Sequence, residues 1–172
     1  MQFVEVNTSD EKAIKEMSEL ASNIVKEYYD PILGESQNDY MVYKFQSVSA
    51  IKEQLQEGYN YFFVTKTNQN SNINKSLNIG FMTYYPRTND IYLSKFYLHK
   101  NYRGQGISRH MLNFIVNKTK EVGFNTVTLN VNKYNDLAIT AYEKLGFIKV
   151  GEEKTDIGHG YYMDDYIYKY NI

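Results

Sequence analysis

The chain has 172 residues, no cysteine and a formal net charge of −1, with 42% hydrophobic and 16% aromatic residues. That length suits one domain, residues 1–172, large enough to bury about 70% of its unfolded surface around a single core. The near-zero charge offers no field for nucleic acid, and the lack of cysteine excludes disulfides, thiolate catalysis and cysteine-ligated zinc. No apolar run approaches the ~18 residues of a membrane span, and Met1-Gln2-Phe3-Val4-Glu5-Val6 reads as a strand rather than a leader. A cytoplasmic protein with no membrane partner and no metal is expected.

In chain order, Thr8-Ser9-Asp10-Glu11 has the shape of a capping box, and Ala13, Met17, Leu20 and Ile24 follow at helical spacing. The pattern predicts a first helix to about Tyr28. Asp30-Pro31 and Gly34 should break it, leaving a loop to Asp39, a helical stretch over 40–46 and another over 47–57. Residues 59–64 read as a strand, the asparagine-rich run 68–76 as a solvated hairpin loop, and Leu77, Ile79, Phe81 and Thr83 as the returning strand. The turn Pro86-Arg87-Thr88-Asn89-Asp90 leads into a strand over 91–98. Ile107, Met111, Leu112, Ile115, Val116 and Thr119 recur at helical spacing, and Val127, Leu129 and Val131 alternate as a half-buried strand. A short helix ends at Gly146, Phe147 opens a strand, and Gly158-His159-Gly160 separates it from a last strand carrying Tyr161, Ile167 and Tyr168. Three consecutive strands with short turns should be antiparallel, whereas strands flanking each later helix need crossovers, so the sheet is mixed.

Two segments carry chemistry. Between the strand ending at Leu98 and the helix beginning near Ile107 lie Gly104 and Gly106. Without Cβ atoms they let the backbone approach a ligand, and the unpaired N–H groups of the first helical turn face an anion with the positive end of the helix dipole. The bland reading is a tight strand-to-helix turn. A dinucleotide fingerprint is excluded, because Arg109 stands where a third glycine is needed, and no Gly-Lys-Ser/Thr occurs for a P-loop. Further on, Asn135, Ala138 and Tyr142 fall at i, i+3 and i+7 on one helix face, ahead of Gly146-Phe147. Asn135 suits either a helix N-cap or a ligand contact, and Tyr142 either a core tyrosine or a reactive one.

The first segment, Arg103-x-x-Gly106-x-Ser108, resembles the pyrophosphate loop Arg/Gln-x-x-Gly-x-Gly/Ala of the Gcn5-related N-acetyltransferases, departing at Ser108. The second resembles that family's Asn-x-x-Ala-x-x-x-Tyr-x-x-x-Gly-Phe at Asn135, Ala138, Tyr142, Gly146 and Phe147. The resemblance implies an α/β acyl-CoA N-acyltransferase fold: a mixed, mostly antiparallel sheet of about seven strands, splayed between the fourth and fifth, with helices on both faces. It implies acetyl-CoA as acetyl donor. Its site residues carry over as Phe96, Tyr97 and Leu98, whose backbone would pair with pantetheine, and Arg103, Gly104, Gln105, Gly106, Ile107, Ser108 and Arg109 around the pyrophosphate, with Asn135 and Ala138 beside them. Dimers are frequent among relatives, so a homodimer is an expected partner state.

The same resemblance implies direct attack of a primary amine on the thioester. An N–H near Leu98 would meet the developing oxyanion, and Tyr142, with an ordinary pKa of about 10, would protonate a leaving thiolate whose ordinary pKa is about 8.5. The glutamates that many relatives use as base correspond to Ser94 and Asn130, which take no proton at neutral pH. No side chain is an evident substitute: His99 reads as exposed, His159 in its glycine-flanked loop is placed to reach the acceptor cavity, and a water relay or an acceptor that arrives already neutral are the other routes. Tyr84, Tyr85, Tyr97 and Tyr162 with Asp164 and Asp165 suit a small cationic amine or polyamine. A protein N-terminus or lysine is the alternative acceptor, and a non-catalytic acetyl-CoA sensor the alternative of another class.

Overall fold

The computed structural model describes residues 1–67 and 76–172. The hairpin loop expected over 68–76 therefore lies outside the described residues, apart from Ser76. The elements are β1 (Gln2–Glu5), α1 (Glu11–Leu33), α2 (Glu35–Gln46), α3 (Val48–Gln56), β2 (Asn60–Thr67), β3 (Ser76–Pro86), β4 (Ile91–Leu98), α4 (Ile107–Glu121), β5 (Thr126–Asn132), α5 (Asp136–Leu145), β6 (Ile148–Gly158) and β7 (Tyr161–Asn171). The fold is mixed α/β with a seven-stranded sheet in the order β1-β2-β3-β4-β5-β7-β6. Only β4 and β5 are parallel neighbours, and the other pairs are antiparallel. Two compact units divide the chain, Met1–Tyr85 with Lys95–Ser108 and Pro86–Ser94 with Arg109–Ile172, so β4 contributes to both.

In the first unit the apolar stripe of α1, with Ile14, Met17, Ala21 and Ile24 buried, packs with Ile51 of α3 and with Tyr61, Phe63 and Phe81 of β2 and β3. The capping residue of α1 is Asp10, whose Oδ1 accepts from Ala13 N at 2.9 Å, rather than Thr8. The helix also runs past its expected end at Tyr28, through Pro31, to Leu33. Pro31 removes one helical hydrogen bond and crowds the carbonyl four residues before it, a cost limited by its place in the last turn, where only Ile32 and Leu33 follow. A fully buried Asn38 from α2 ties the region down, donating to Val25 O at 3.2 Å and to Asp30 Oδ1 at 2.7 Å. The stop is Gly34, at φ +82°, whose N–H bonds Asp30 O at 3.0 Å. Because that one left-handed residue reverses the chain, α2 starts at Glu35 and the loop expected up to Asp39 is absent. The third helix matches expectation, with Ser47 Oγ accepting from Ala50 N.

In the second unit β5 pairs antiparallel with β7, Leu129 opposite Tyr168, and β7 pairs antiparallel with β6. The parallel ladder of β4 with β5 consists of Ile91↔Val127 and Tyr92↔Thr128, at the start of both strands. The expectation of a half-buried β5 fails, since Thr126, Thr128 and Asn132 are buried as well as Val127, Leu129 and Val131. Its polar side is covered by side chains that satisfy it. Thr128 Oγ1 donates to Asp90 Oδ2 at 2.7 Å and accepts from Arg87 Nη2, while Arg87 Nε donates to Asp90 Oδ1 at 2.8 Å. That pairing and the Thr128 hydroxyl hold the Asp90 carboxyl below its ordinary pKa. Gly146, at φ +106°, ends α5 with its N–H on Tyr142 O and Glu143 O.

Candidate active site

The glycine-rich segment belongs to the first unit. Leu98 ends β4, and His99 N bonds Ile79 O at 2.9 Å, which fixes where the strand stops. His99 is half-buried rather than exposed, because its Nδ1 accepts from Asn101 N and caps the single 3-10 turn Lys100–Tyr102. Phe96, Tyr97 and Leu98 are half-buried, and Gly80 of β3 lies so close that a Cβ there would stand 2.3 Å from Tyr97 O.

Arg103 then turns back on the strand, its Nε donating to Leu98 O at 3.0 Å and its guanidinium carbon 4.7 Å from the centroid of the Tyr28 ring. Gly104 and Gly106 are exposed at φ +72° and +75°, and a Cβ on either would meet nothing within 4 Å. Bare, exposed backbone therefore leads into the fifteen-residue α4. Ile107 is buried and anchors the first turn, and Ser108 is half-buried. Gln105 reaches sideways, donating to Asn101 O at 2.9 Å. Backbone donors at a helix start, two open glycines and a guanidinium fit a diphosphate.

The second unit holds the remaining positions. Asn135 is 2% exposed and its Oδ1 accepts from Ala138 N at 3.1 Å, so it is an N-cap of α5. Ala138 thereby gives its own N–H to the cap. Tyr142 is half-buried and meets Phe147 edge-on at 5.6 Å, and Phe147 in turn packs on Tyr170. Arg109 donates from its two terminal nitrogens to Leu145 O at 2.9 Å and Lys144 O at 3.0 Å, binding α4 to the C-terminal end of α5.

Around the missing base, Asn130 Nδ2 donates to Glu153 Oε2 at 3.2 Å and also hydrogen-bonds Asp165. Asp165 is 5% exposed, and burial, helped by Asp164 and Glu153, pushes its carboxyl up to about 6. Asp164 is committed to Lys133 at 2.8 Å. Ser94 is half-buried, and His159 is exposed at φ +53°. The four tyrosines expected to line an acceptor cavity each have an aromatic or cationic neighbour. Tyr84 is buried and stacks on Phe62, Tyr85 faces Tyr59 at 4.3 Å, Tyr97 stacks on Phe81 at 5.2 Å, and Tyr162 meets Lys154. Tyr84 and Tyr85 are consecutive in a strand and so point to opposite faces.

Sequence reasoning missed Lys95. It is 5% exposed, and its Nζ donates to Phe45 O at 2.8 Å, to Gln54 Oε1 at 2.9 Å and to the Tyr61 hydroxyl, which itself donates to Gln54 Oε1 at 2.7 Å. Three neutral acceptors take its three hydrogens, with no carboxylate among the described residues, and burial pushes the ammonium down to about 7. The signal was present: Lys95 continues the alternation of buried Ile91 and Leu93. Among the described residues no group of three or more His, Asp or Glu is placed to hold a metal, and no helix is long and apolar enough to cross a membrane.

A mixed seven-stranded sheet whose central strand runs into a glycine-rich anion cradle defines a class of acyl-CoA-dependent acyltransferase folds. The sequence profile of the Acetyltransferase (GNAT) family matches residues 22–147, most of the chain, and the chain belongs to that family. Among solved structures it is similar to the PaiA N-acetyltransferase from Thermoplasma acidophilum in complex with coenzyme A, at 18% identity and a TM-score of 0.74, covering 99% of this chain and 98% of that one. It is also similar to a GNAT-family acetyltransferase from Staphylococcus aureus, at 18% identity, TM-score 0.65, and the same coverage. NAA60 of Arabidopsis thaliana in complex with a bisubstrate analogue gives 19% identity and a TM-score of 0.64, covering 99% of this chain and 98% of that one. No curated protein matches the chain. Family membership supports acetyl transfer from acetyl-CoA.

Proposed function

We propose that residues 1–172 act as one cytoplasmic acetyltransferase domain that acetylates a small cationic primary amine. The observation that carries this reading is the open cradle of Gly104 and Gly106 at the start of α4, with the Arg103 guanidinium beside it. Arg103 and the backbone N–H groups of 104–109 hold the diphosphate of acetyl-CoA. Arg109 takes part through its backbone alone, because its side chain is committed to α5. Asn135 and Ala138 act by setting the start of α5. The backbone of Phe96, Tyr97 and Leu98 pairs with the pantetheine arm. When bound, acetyl-CoA supplies a thioester carbonyl activated toward amines.

Tyr142 gives its hydroxyl proton to the departing sulfur, and an N–H at Leu98 stabilises negative charge on the carbonyl oxygen as it develops. The acceptor's charge is met by Asp165 rather than Asp164, whose oxygen Lys133 already holds. Asp165 also offers a carboxyl of suitable basicity to take up the amine's proton. Release of free thiol from acetyl-CoA, followed with diamines, polyamines, amino acids and peptide N-termini, tests the reading. Saturable release with a small di- or polyamine supports it. Saturation by peptides alone identifies a protein acetyltransferase, and acetyl-CoA binding without release identifies a sensor.

A further inference from the structure

The last turns of α1 meet the end of β4 and the segment after it at three consecutive residues. Glu27 Oε2 pairs with Lys100 Nζ at 3.4 Å, the Tyr28 ring lies under the Arg103 guanidinium at 4.7 Å, and Tyr29 meets Tyr97 edge-on at 6.4 Å. We infer that Tyr28 is a positioning residue for the acyl donor: its ring holds the Arg103 guanidinium in the plane from which it binds the diphosphate.

The guanidinium of Arg103 has donors to spare for a ligand. Its Nε is fixed on Leu98 O at 3.0 Å, and among the described residues its two terminal nitrogens carry no hydrogen bond. A fork held at its base by a carbonyl and on its face by a ring keeps both terminal nitrogens edge-on, which is how a guanidinium grips a phosphate with two parallel bonds. Without the ring, the long side chain regains rotamers that must be given up again on binding. Phenylalanine keeps the face and alanine does not. Tyr28 therefore acts through its ring and not through its hydroxyl.

The inference rests on the proposed role of Arg103, and calorimetry of coenzyme A binding to the purified full chain separates the two. Tyr28→Ala is expected to weaken binding about three- to tenfold, the range of a partly desolvated cation–π contact. Tyr28→Phe should stay within about twofold of the parent. Arg103→Ala should weaken binding at least as much as Tyr28→Ala, and the double variant no further than Arg103→Ala alone. If circular dichroism shows that Tyr28→Ala is unfolded, Tyr28→Leu keeps apolar bulk at the helix and carries the same expectation. Parent-like affinity of Tyr28→Ala beside a weakened Arg103→Ala overturns this inference, as does a Tyr28→Phe loss equal to that of alanine, or additive losses in the double variant. An Arg103→Ala variant with parent affinity instead overturns the proposed diphosphate role itself.

Discussion

Gly80→Ala is the perturbation that best separates the geometry of β4 from its chemistry. A Cβ at Gly80 would stand 2.3 Å from Tyr97 O, 2.8 Å from Leu98 Cδ2 and 3.2 Å from Leu98 Cα. Leu98 Cδ2 can swing aside, but Tyr97 O is backbone and must retreat by about 1 Å to reach ordinary contact distance. Gly80 lies at an irregularity of the β2–β3 register, where Val64 pairs with Gly80 and Thr65 with Asn78. The bulge allows some relaxation there. Overpacking of this kind costs about 1–3 kcal/mol, which at about 2–4 °C per kcal/mol for a chain of this size lowers Tm by about 2–12 °C. The displaced carbonyl belongs to the segment proposed to pair with pantetheine, so acetyl-CoA affinity should fall by about fivefold as well, one misaligned backbone hydrogen bond being worth about 1 kcal/mol. Differential scanning calorimetry and titration calorimetry read the two effects. Gly106→Ala is the contrast: its Cβ meets no neighbour within 4 Å, so the stability loss is confined to the left-handed strain of about 1–2 kcal/mol, while binding suffers from the filled cradle. Parent-like Tm and affinity in Gly80→Ala would refute the assignment of Tyr97 and Leu98.

Three further outcomes are expected. Tyr142→Phe should lower turnover by about a hundredfold with acetyl-CoA affinity unchanged, and thiol release at parent rate removes the general-acid role. For Asp165, the folded carboxyl titrates near 6 against an ordinary 3.8, so its protonated form stabilises the fold at low pH and that contribution is lost as pH rises through 6. Asp165→Asn should therefore be more stable than the parent at pH 8, by up to about 3 kcal/mol, and similar to it at pH 4, while raising the acceptor KM; urea denaturation at the two pH values and steady-state kinetics check both halves. Lys95 titrates near 7 in the folded chain against an ordinary 10.5, so the unfolded chain holds more protons between those values and stability rises with pH across that window. Lys95→Met should remove that rise, whose upper bound is about 5 kcal/mol, even though the variant leaves Phe45 O without its donor; parallel pH–stability curves for parent and variant would refute the burial argument.

The parts of the fold legible in the sequence are those governed by local rules. Alternation marked β3, a run of strand-favouring residues marked β4, helical spacing marked α1 and α4, and Gly146 marked the end of α5 because only a residue tolerant of φ +106° stops a helix there cheaply. Gly104 and Gly106 were legible for the same reason. The misreadings come where a tertiary contact outweighs a local preference. Pro31 reads as a breaker, yet Asn38, eight residues past Asp30, hydrogen-bonds that residue's carboxyl and keeps the last turn of α1 in register. Thr128 reads as the exposed side of a half-buried strand, yet the Arg87–Asp90 pair covers it from a turn some forty residues away in sequence. Asn135 read as cap or ligand contact with equal force, and its hydrogen bond from Ala138 N fulfils the first of the two roles.

The site shows the same division more sharply, and it explains why the acceptor is harder to read than the donor. Diphosphate recognition uses backbone N–H groups at a helix start, so its sequence mark is the residues that leave the backbone bare, and these sit within a few positions of each other. Proton and amine handling use side chains whose properties are set by what surrounds them. Asp165 is an ordinary aspartate in the sequence, and it becomes a carboxyl titrating near 6 only because β7 places it opposite Glu153 of β6 and Asn132 of β5 and buries it there. Lys95 is an ordinary lysine until Phe45, Gln54 and Tyr61 enclose it. Neither environment is contiguous in the chain. A family profile anchored on bare backbone therefore identifies the donor, while the acceptor has to be sought in partners separated by many residues, which is where Asp165→Asn and the amine panel act together: a raised acceptor KM in that variant with an unaltered order of amine preference would mean that Asp165 supplies charge but not selectivity.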